Sequence, residues 1–235
     1  MTILRPGSNV DPNKMLGETT EVSKYFGLED LDRRISEFVA GRTGFFVELG
    51  AADGIEQNNT LYLERLGWRG VLIEPVSWQY DACVRNRPLA KVFNCACVPF
   101  GAEGAIEMIS MQLMSTIKGA LGDREGEWIE LASSYGHVPE NVTVRARTLS
   151  AVLEEAGTVA VDLLVVDVEG YELKVLEGLD FDRFAPDWLV AEDLYTEDVR
   201  DYLVGKGYSL VAQLSARERT RDRIYKRVRT SSASR

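Results

Sequence analysis

The stretch Phe45-Phe46-Val47-Glu48-Leu49-Gly50-Ala51-Ala52-Asp53-Gly54 decides the fold of this chain. It begins as an apolar run, typical of a buried parallel strand, and ends in a turn bounded by Gly50 and Gly54. About twenty residues later, residues 70–75 repeat the apolar run and end in one carboxylate, Glu74. Glycines let the backbone approach a ligand, and an acid at the next strand tip can accept a ribose diol. The pair therefore predicts a nucleoside site at the edge of a parallel sheet.

Size and charge restrict the kind of partner. The chain has 235 residues, enough for one large domain with a complete core, and a formal net charge of −10. Nucleic acid is not expected as a partner, because phosphate binding needs a basic face. No apolar stretch reaches membrane-spanning length and the N-terminus lacks a signal-peptide core, so we expect a cytoplasmic protein with no membrane contact. A small-molecule substrate is the expected partner, and a homodimer stays open.

Strand and helix patterns alternate along most of the chain, as in an α/β sheet. Residues 208–214 and 223–228 read as two strands joined by a charged turn, and so short a connection forces antiparallel pairing. The run 92–98 reads as one strand, and the charged residues 217–223 read as a solvated hairpin tip. The predicted fold is a Rossmann-like, doubly wound, seven-stranded sheet, mostly parallel with an antiparallel edge hairpin. The three cysteines are expected to be buried thiols without a disulfide.

Three regions fall outside this regular pattern. Residues 1–43 are predicted to form an N-terminal arm and helices that cover the site, and 44–229 the main domain. Within it, residues 112–141 lose the pattern. A segment this long between well-defined strands is usually functional, so it is predicted to be an insertion or lid on the substrate side. Residues 230–235 are expected to be a disordered tail.

Acidic residues collect at the predicted strand tips, where open parallel sheets bind their ligands. These residues are Glu48, Asp53, Glu74, Asp167, Glu169 and Glu192. Carboxylates beside a pyrophosphate would repel it, and Ala52 replaces a glycine of the dinucleotide pattern Gly-x-Gly-x-x-Gly. The acids instead suit a cation with an amino group and a sulfonium. S-adenosylmethionine fits that description and brings a ribose diol for Glu74.

Three stretches resemble the class I S-adenosylmethionine-dependent methyltransferases of the FkbM type. They are residues 46–54 with Asn59-Thr60, residues 67–75, and the most specific one, Val166-Asp167-Val168-Glu169-Gly170-Tyr171-Glu172-Leu173 with Val175-Leu176 and Gly178. The likeness runs from about residue 44 to 211 and fades over 112–141. Members of this family commonly methylate hydroxyl groups of sugars, polyketides and other secondary metabolites. The resemblance therefore implies a methyltransferase domain over 44–229 that acts on oxygen.

The resemblance also implies which residues hold the cofactor. Glu48, Gly50 and Gly54 would line its methionine end, Glu74 would take both ribose hydroxyls, and the 94–96 tip would border adenine. The full predicted cofactor set is Glu48, Gly50, Ala51, Asp53, Gly54, Asn59, Thr60, Glu74, Pro75, Asn94, Ala96 and Asp167.

A hydroxyl acceptor needs a group that takes up its proton. Asp167 is the first candidate base and Glu169 the second, while Asp167 equally suits binding of the cofactor amine or capping of the next helix. His137, the single histidine, is a third candidate, although a lone histidine is more often a surface or packing residue. Ser115 and Glu192 are the predicted substrate contacts.

Four alternatives stay open at this point. Asp167, Glu169, Glu192 and Asp193 are oxygen donors that suit Mg²⁺, but organic cations or solvent explain them more simply, so we expect no metal. Transfer to nitrogen is the nearest variant. An NAD-type oxidoreductase would also use Glu74, but Ala52 argues against it. A non-catalytic cofactor-binding module is disfavoured by the acids at both strand tips.

Overall fold

The computed structural model describes residues 25–39, 41–194, 196–215, 217 and 220–228. The predicted arm before residue 25 and the predicted tail 230–235 lie outside this range. The described residues form eight α-helices: α1 (Leu31–Val39), α2 (Leu61–Arg65), α3 (Ser77–Asn86), α4 (Glu125–Ser134), α5 (Leu149–Ala156), α6 (Glu172–Leu176), α7 (Phe181–Phe184) and α8 (Asp198–Gly205). They also form eleven strands: β1 (Phe45–Leu49), β2 (Arg69–Ile73), β3 (Lys91–Phe93), β4 (Ala96–Cys97), β5 (Gly104–Ser110), β6 (Thr116–Ile117), β7 (Glu140–Arg147), β8 (Leu163–Val166), β9 (Trp188–Leu194), β10 (Tyr208–Gln213) and β11 (Thr220–Arg227).

Seven strands form the main sheet in the order β10-β11-β9-β8-β1-β2-β3. β1 lies in the centre and pairs in parallel with both β2 and β8, so that Phe46 is opposite Gly70 on one side and Leu163 on the other. β11 runs antiparallel to β9 and to the edge strand β10. The predicted mostly parallel sheet with an antiparallel edge hairpin is confirmed. Strand order reverses between β1 and β8, which is where such sheets bind ligands.

A second sheet has the order β4-β7-β5-β6 and lies beside the carboxyl ends of the main one. The prediction of one strand over 92–98 is wrong, because the strand is interrupted between β3 and β4, which belong to different sheets. At that break the Asn94 side chain donates to the carbonyl oxygens of Glu74 and Pro75, both at 2.9 Å. β4 then pairs in parallel with β7. The predicted insertion 112–141 supplies β6 and α4.

The core is divided by the main sheet, because side chains alternate between its faces. Val47 and Leu49 of β1 belong to one buried cluster together with Leu149 of α5. Phe46 belongs to the opposite cluster together with Ile35 of α1. Glu48, two positions after Phe46, therefore points to the α1 side of the sheet.

The cysteines behave as predicted. Cys83, Cys95 and Cys97 are buried and free of disulfides. Among the described residues, no helix has the length and apolar character needed to cross a membrane.

Candidate active site

A first cleft lies beyond the carboxyl ends of β1, β2 and β8. It encloses about 790 Å³ of space, part of it open to solvent. Its walls combine polar groups with apolar ones, and they include Gly50, Ala52, Ile73, Glu74, Pro75, Gln79, Ala96, Asp167 and Glu169. The predicted cofactor residues Gly50, Glu74, Pro75, Ala96 and Asp167 thus meet in one place.

The Glu74 side chain is fixed in the first cleft by two hydrogen bonds from backbone N–H groups. Its Oε2 accepts from the Ala52 N–H at 3.0 Å, and its Oε1 accepts from the Val76 N–H at 2.7 Å. A carboxylate offers about four acceptor positions, so each oxygen keeps a free lone pair. Burial raises the pKa of Glu74 to about 7. The geometry leaves Glu74 fixed and able to accept two further hydrogen bonds.

Gly50 joins the tips of β1 and β8. Its φ is +76°, and a Cβ atom on it would lie 1.8 Å from the carbonyl oxygen of Asp167. Ala52 also has a positive φ, 47°, and its N–H is directed at Glu74. Ala51, the residue named from the sequence, is instead buried in the cluster around Phe46. The wall of the cleft is therefore formed by Ala52, because the chain turns between the two alanines.

Replacement of Gly50 by alanine is expected to lower the free energy of unfolding by more than about 2 kcal/mol, since the added methyl needs the β8 tip to move. Gly101→Ala is the matched control, because Gly101 also has a positive φ (+85°) but nothing within 4 Å of an added Cβ. Urea unfolding of both variants measures the difference. Equal losses would show that the contact with Asp167 is unimportant.

Glu48 does not line the first cleft. It is buried on the α1 side of β1, where its carboxylate accepts from the Asn58 side chain, the Asn59 N–H and the Thr60 hydroxyl. Arg87 extends this network through a hydrogen bond to Asn58 Oδ1 at 2.7 Å. Glu48 and Thr60 thus hold the loop between β1 and α2 from the α1 side of the sheet, outside the first cleft.

Other predicted cofactor residues also lie outside the lining of the first cleft. Asp53 is used by its own loop, where its Oδ1 accepts from the Ile55 and Glu56 N–H groups at 2.8 Å. Gly54 packs against Arg87. Asn94 supports the Glu74 backbone, as described above, and Asn59 lies on the wall of a different cleft.

That second cleft adjoins the first and holds about 1,490 Å³, part of it open to solvent. Its lining combines apolar or aromatic residues, which include Leu31, Trp128, Leu131 and Tyr135, with charged ones, which include Glu56, Asp167, Glu169, Glu192 and Arg217. Glu56, Gln57, Leu113, Asp167 and Glu169 belong to both clefts. The two predicted acids of the β8 tip therefore stand where the clefts meet.

The predicted substrate and base residues divide between the two clefts. His137 and Glu192 line the second cleft. Ser115 lines the first, and its hydroxyl is used by its own turn, donating to Gln112 O and accepting from the Met111 N–H.

Asp167, Glu169 and Glu192 form an acid cluster, with one carboxyl oxygen of each within 4.8 Å of the others. Burial, and after it the neighbouring Asp222, raises the pKa of Asp167 to about 7. Burial and then neighbouring carboxylates raise the pKa values of Glu169 and Glu192 well above the ordinary range. Such perturbed acids in a cleft are typical of functional sites.

Asp167 is not a helix cap. The turn after β8 is held by Glu172, whose Oε1 accepts from the Val168 and Gly170 N–H groups at 3.2 and 3.0 Å. α6 has no side-chain cap at its start. Within the described part of the chain, the Asp167 carboxylate receives one long hydrogen bond, from Asn59 Nδ2 at 3.5 Å. Asp167 lines both clefts.

The prediction of a solvated hairpin tip over 217–223 is wrong for Arg217 and Arg223, because buried acids attract these two side chains inward. Arg217 Nη2 donates to Glu192 at 3.1 Å and to Asp222 at 3.0 Å. Arg223 Nη1 donates to Asp193 Oδ2 at 2.8 Å. Asp193, which the sequence grouped with the other acids, is therefore directed at Arg223, outside the cluster of three.

The raised pKa values predict how stability depends on pH. Glu74, Asp167 and Glu172 each have a pKa raised to about 7 by burial. Between the ordinary carboxyl pKa and about 7 the folded chain therefore binds more protons than the unfolded chain. The free energy of unfolding should fall as pH rises through this window, by up to about 1.4 kcal/mol per pH unit for each such proton.

Chemical denaturation at several pH values between 5 and 8 measures this slope. Glu172→Gln keeps an oxygen for the two N–H groups but cannot titrate. The free energy of unfolding of this variant should therefore depend less steeply on pH, by up to about 1.4 kcal/mol per pH unit, the contribution of one proton. Stability that rises with pH across this range would contradict the burial of these acids.

Gln79 and Arg217 are site residues that sequence reasoning missed. Gln79 lies on the helix after β2 and lines the first cleft, and its buried Oε1 has no hydrogen-bond partner among the residues that the structure describes. No strand-tip pattern marks it. Arg217 reaches the site from a distant turn, and only the excess of acids over bases at the strand tips could have indicated that a cation is needed there.

Comparison with known proteins gives one family and several similar structures. The Methyltransferase FkbM domain model matches residues 48–210. A search of curated proteins gives no match. The putative methyltransferase yhhF from Escherichia coli is 13% identical, with 86% of this chain and 88% of that chain covered and a TM-score of 0.47. For the precorrin-6y C5,15-methyltransferase from Geobacter metallireducens GS-15 the identity is 10%, the coverage 85% and 88%, and the TM-score 0.47.

Proposed function

This chain belongs to the FkbM methyltransferase domain family, and from that premise we propose that it transfers a methyl group from S-adenosylmethionine to a hydroxyl oxygen of a small, sugar-containing or polyketide-like metabolite. The observation that carries the proposal is the meeting of two clefts at Asp167 and Glu169. One cleft suits the donor, and the larger one suits the acceptor.

The residues of the first cleft fit the donor. Glu74 keeps a free lone pair on each oxygen, which suits the two neighbouring hydroxyls of a ribose. The unpartnered Oε1 of Gln79 suits an N–H or O–H donor of the adenosine. Ile73, Pro75 and Ala96 supply the apolar surface that a base needs.

The acids at the junction fit the charge of the donor. S-adenosylmethionine supplies a methyl group already activated by a sulfonium, so the protein needs to add alignment, water exclusion and a proton acceptor. Asp167 and Glu169 are close enough to both clefts to stabilise a cation there. The organic cation removes the need for a metal at these acids.

Asp167 accepts the proton of the acceptor hydroxyl in this proposal. Its lone pairs are mostly free, and a base with a pKa of about 7 is well suited to proton transfer near neutral pH. Glu169 is held in place beside it: its φ is positive, 56°, and its carbonyl oxygen accepts from the Thr116 hydroxyl at 2.7 Å. Trp128 and Leu131 keep water from one side of the acceptor.

Incubation with trideuteromethyl-labelled S-adenosylmethionine and a panel of hydroxylated metabolites tests the proposal. We expect S-adenosylhomocysteine to accumulate with a product that carries the label on an ether oxygen, identified by fragmentation in mass spectrometry. Label found on nitrogen only would favour the N-methyltransferase alternative. Binding of NAD without binding of S-adenosylhomocysteine would favour the oxidoreductase.

A further inference from the structure

The described lining of the second cleft has more acids than bases. Among the residues that the structure describes, the acids Glu56, Asp167, Glu169 and Glu192 line it together with one guanidinium, that of Arg217. The Nη2 of Arg217 is already shared between Glu192 and Asp222. An anionic acceptor would meet repulsion in this cleft, and a cationic one would be attracted.

Two buried carboxyl oxygens in the acid cluster lack donors among the described residues. Glu192 is only 5% exposed, and its Oε2 has no hydrogen-bond partner in the described part of the chain, although Oε1 is bound by Arg217. Within the same residues the Oε2 of Glu169 is likewise buried without a partner. A buried acceptor left unpaired is unfavourable, so a ligand group with several N–H donors would be favoured there.

One donor in the same place also lacks a described partner. The Nη1 of Arg217 is buried, and no acceptor for it lies among the residues that the structure describes. A hydroxyl oxygen next to the N–H donors would satisfy it. The combination of free acceptors and one free donor matches an amine with a neighbouring hydroxyl group.

The aromatic part of the lining is compatible with a cation. It includes Trp128 and Tyr135, and aromatic faces attract ammonium groups. Without a ligand, burial and the neighbouring carboxylates raise the pKa values of Glu169 and Glu192, which favours their protonated forms. An ammonium group brings its own charge and protons, and it allows the carboxyl groups to ionise.

We infer that the acceptor is an amino alcohol or amino sugar, whose protonated amine is bound by Glu169 and Glu192 while its hydroxyl lies beside Asp167. This inference rests on the proposed function, because it names the substrate class of the same site. The bound amine remains protonated and has no lone pair to react, so the methyl group goes to oxygen.

Three matched probes test the charge preference: 2-amino-1-phenylethanol, 1-phenylethane-1,2-diol and mandelate, which share a phenyl ring and a hydroxyl group and differ in charge. Each is titrated into protein saturated with S-adenosylhomocysteine, and binding is measured by calorimetry. The amine should bind about tenfold more tightly than the neutral diol, as expected for a charge-assisted hydrogen bond, and mandelate more weakly than both.

Variants test whether the acid cluster causes the preference for the amine over the neutral diol. Glu169→Gln and Glu192→Gln should each lose most of the preference for the amine. Glu130→Gln, which removes one exposed acid of α4 outside the cleft lining, should keep it. The inference is overturned if the diol or mandelate binds as well as the amine, if the amine does not bind at millimolar concentration, or if both cluster variants keep the preference. Failure to bind S-adenosylhomocysteine would instead overturn the proposed function itself.

Discussion

Asp167→Asn is expected to lower kcat by about 10²–10⁴-fold, the usual contribution of a positioned general base. Asparagine keeps the size of the side chain and can still contact Asn59, but it cannot take up a proton. The affinity for S-adenosylhomocysteine should change by less than about tenfold, because Glu74 and the apolar wall of the first cleft are unchanged. Release of S-adenosylhomocysteine under saturating acceptor measures kcat.

The pH profile separates a catalytic role for Asp167 from a structural one. The wild-type kcat/KM should rise with pH and level off above about pH 7, because the raised pKa of Asp167 means that the base ionises only there. That step should be absent from the Asn variant. Asp201→Asn, at an exposed position on α8, is the control and should keep both the rate and the step. A variant at position 167 with the wild-type rate would remove Asp167 from the mechanism.

Glu74→Ala is expected to weaken binding of S-adenosylhomocysteine by at least about a hundredfold. Two hydrogen bonds from ribose hydroxyls to a charged group would be lost, and each is worth about 1.5–3 kcal/mol. The Ala52 and Val76 N–H groups would also lose their acceptor, which loosens the turn that shapes the cleft. Calorimetric titration of the purified variant measures the loss.

A folding control accompanies this titration. Glu103→Ala removes an exposed acid from the turn before β5 and should leave the affinity unchanged. Circular dichroism of both variants shows whether the fold is kept. If Glu74→Ala is folded and binds S-adenosylhomocysteine as tightly as the wild type, Glu74 does not bind the ribose.

The main sheet could be predicted because its strands are local patterns. Near-continuous apolar runs that end in glycine or acid identify β1, β2 and β8, and the short turn near residue 217 dictates antiparallel pairing. The second sheet could not be predicted in the same way. Its parallel pair joins a two-residue strand at Ala96 to β7, about fifty residues away, and no local pattern encodes such a partner.

The site was predicted in part for similar reasons. Glu74 and Asp167 lie at strand tips that line the first cleft, as the sequence predicts, since every parallel strand ends at the same edge of the sheet. The resemblance placed Glu48 at the cofactor, but the alternation of β1 turns it toward Asn58 and the opposite face. Arg217 was missed because its contact with Glu192 joins residues that are far apart in the chain.

A crystal structure of the complex with S-adenosylhomocysteine tests the central claim most directly. We expect the ribose hydroxyls on the Glu74 carboxylate and the sulfur facing the junction at Asp167, with the second cleft open beyond it. A ligand bound elsewhere, or a sulfur turned away from the second cleft, would contradict the account.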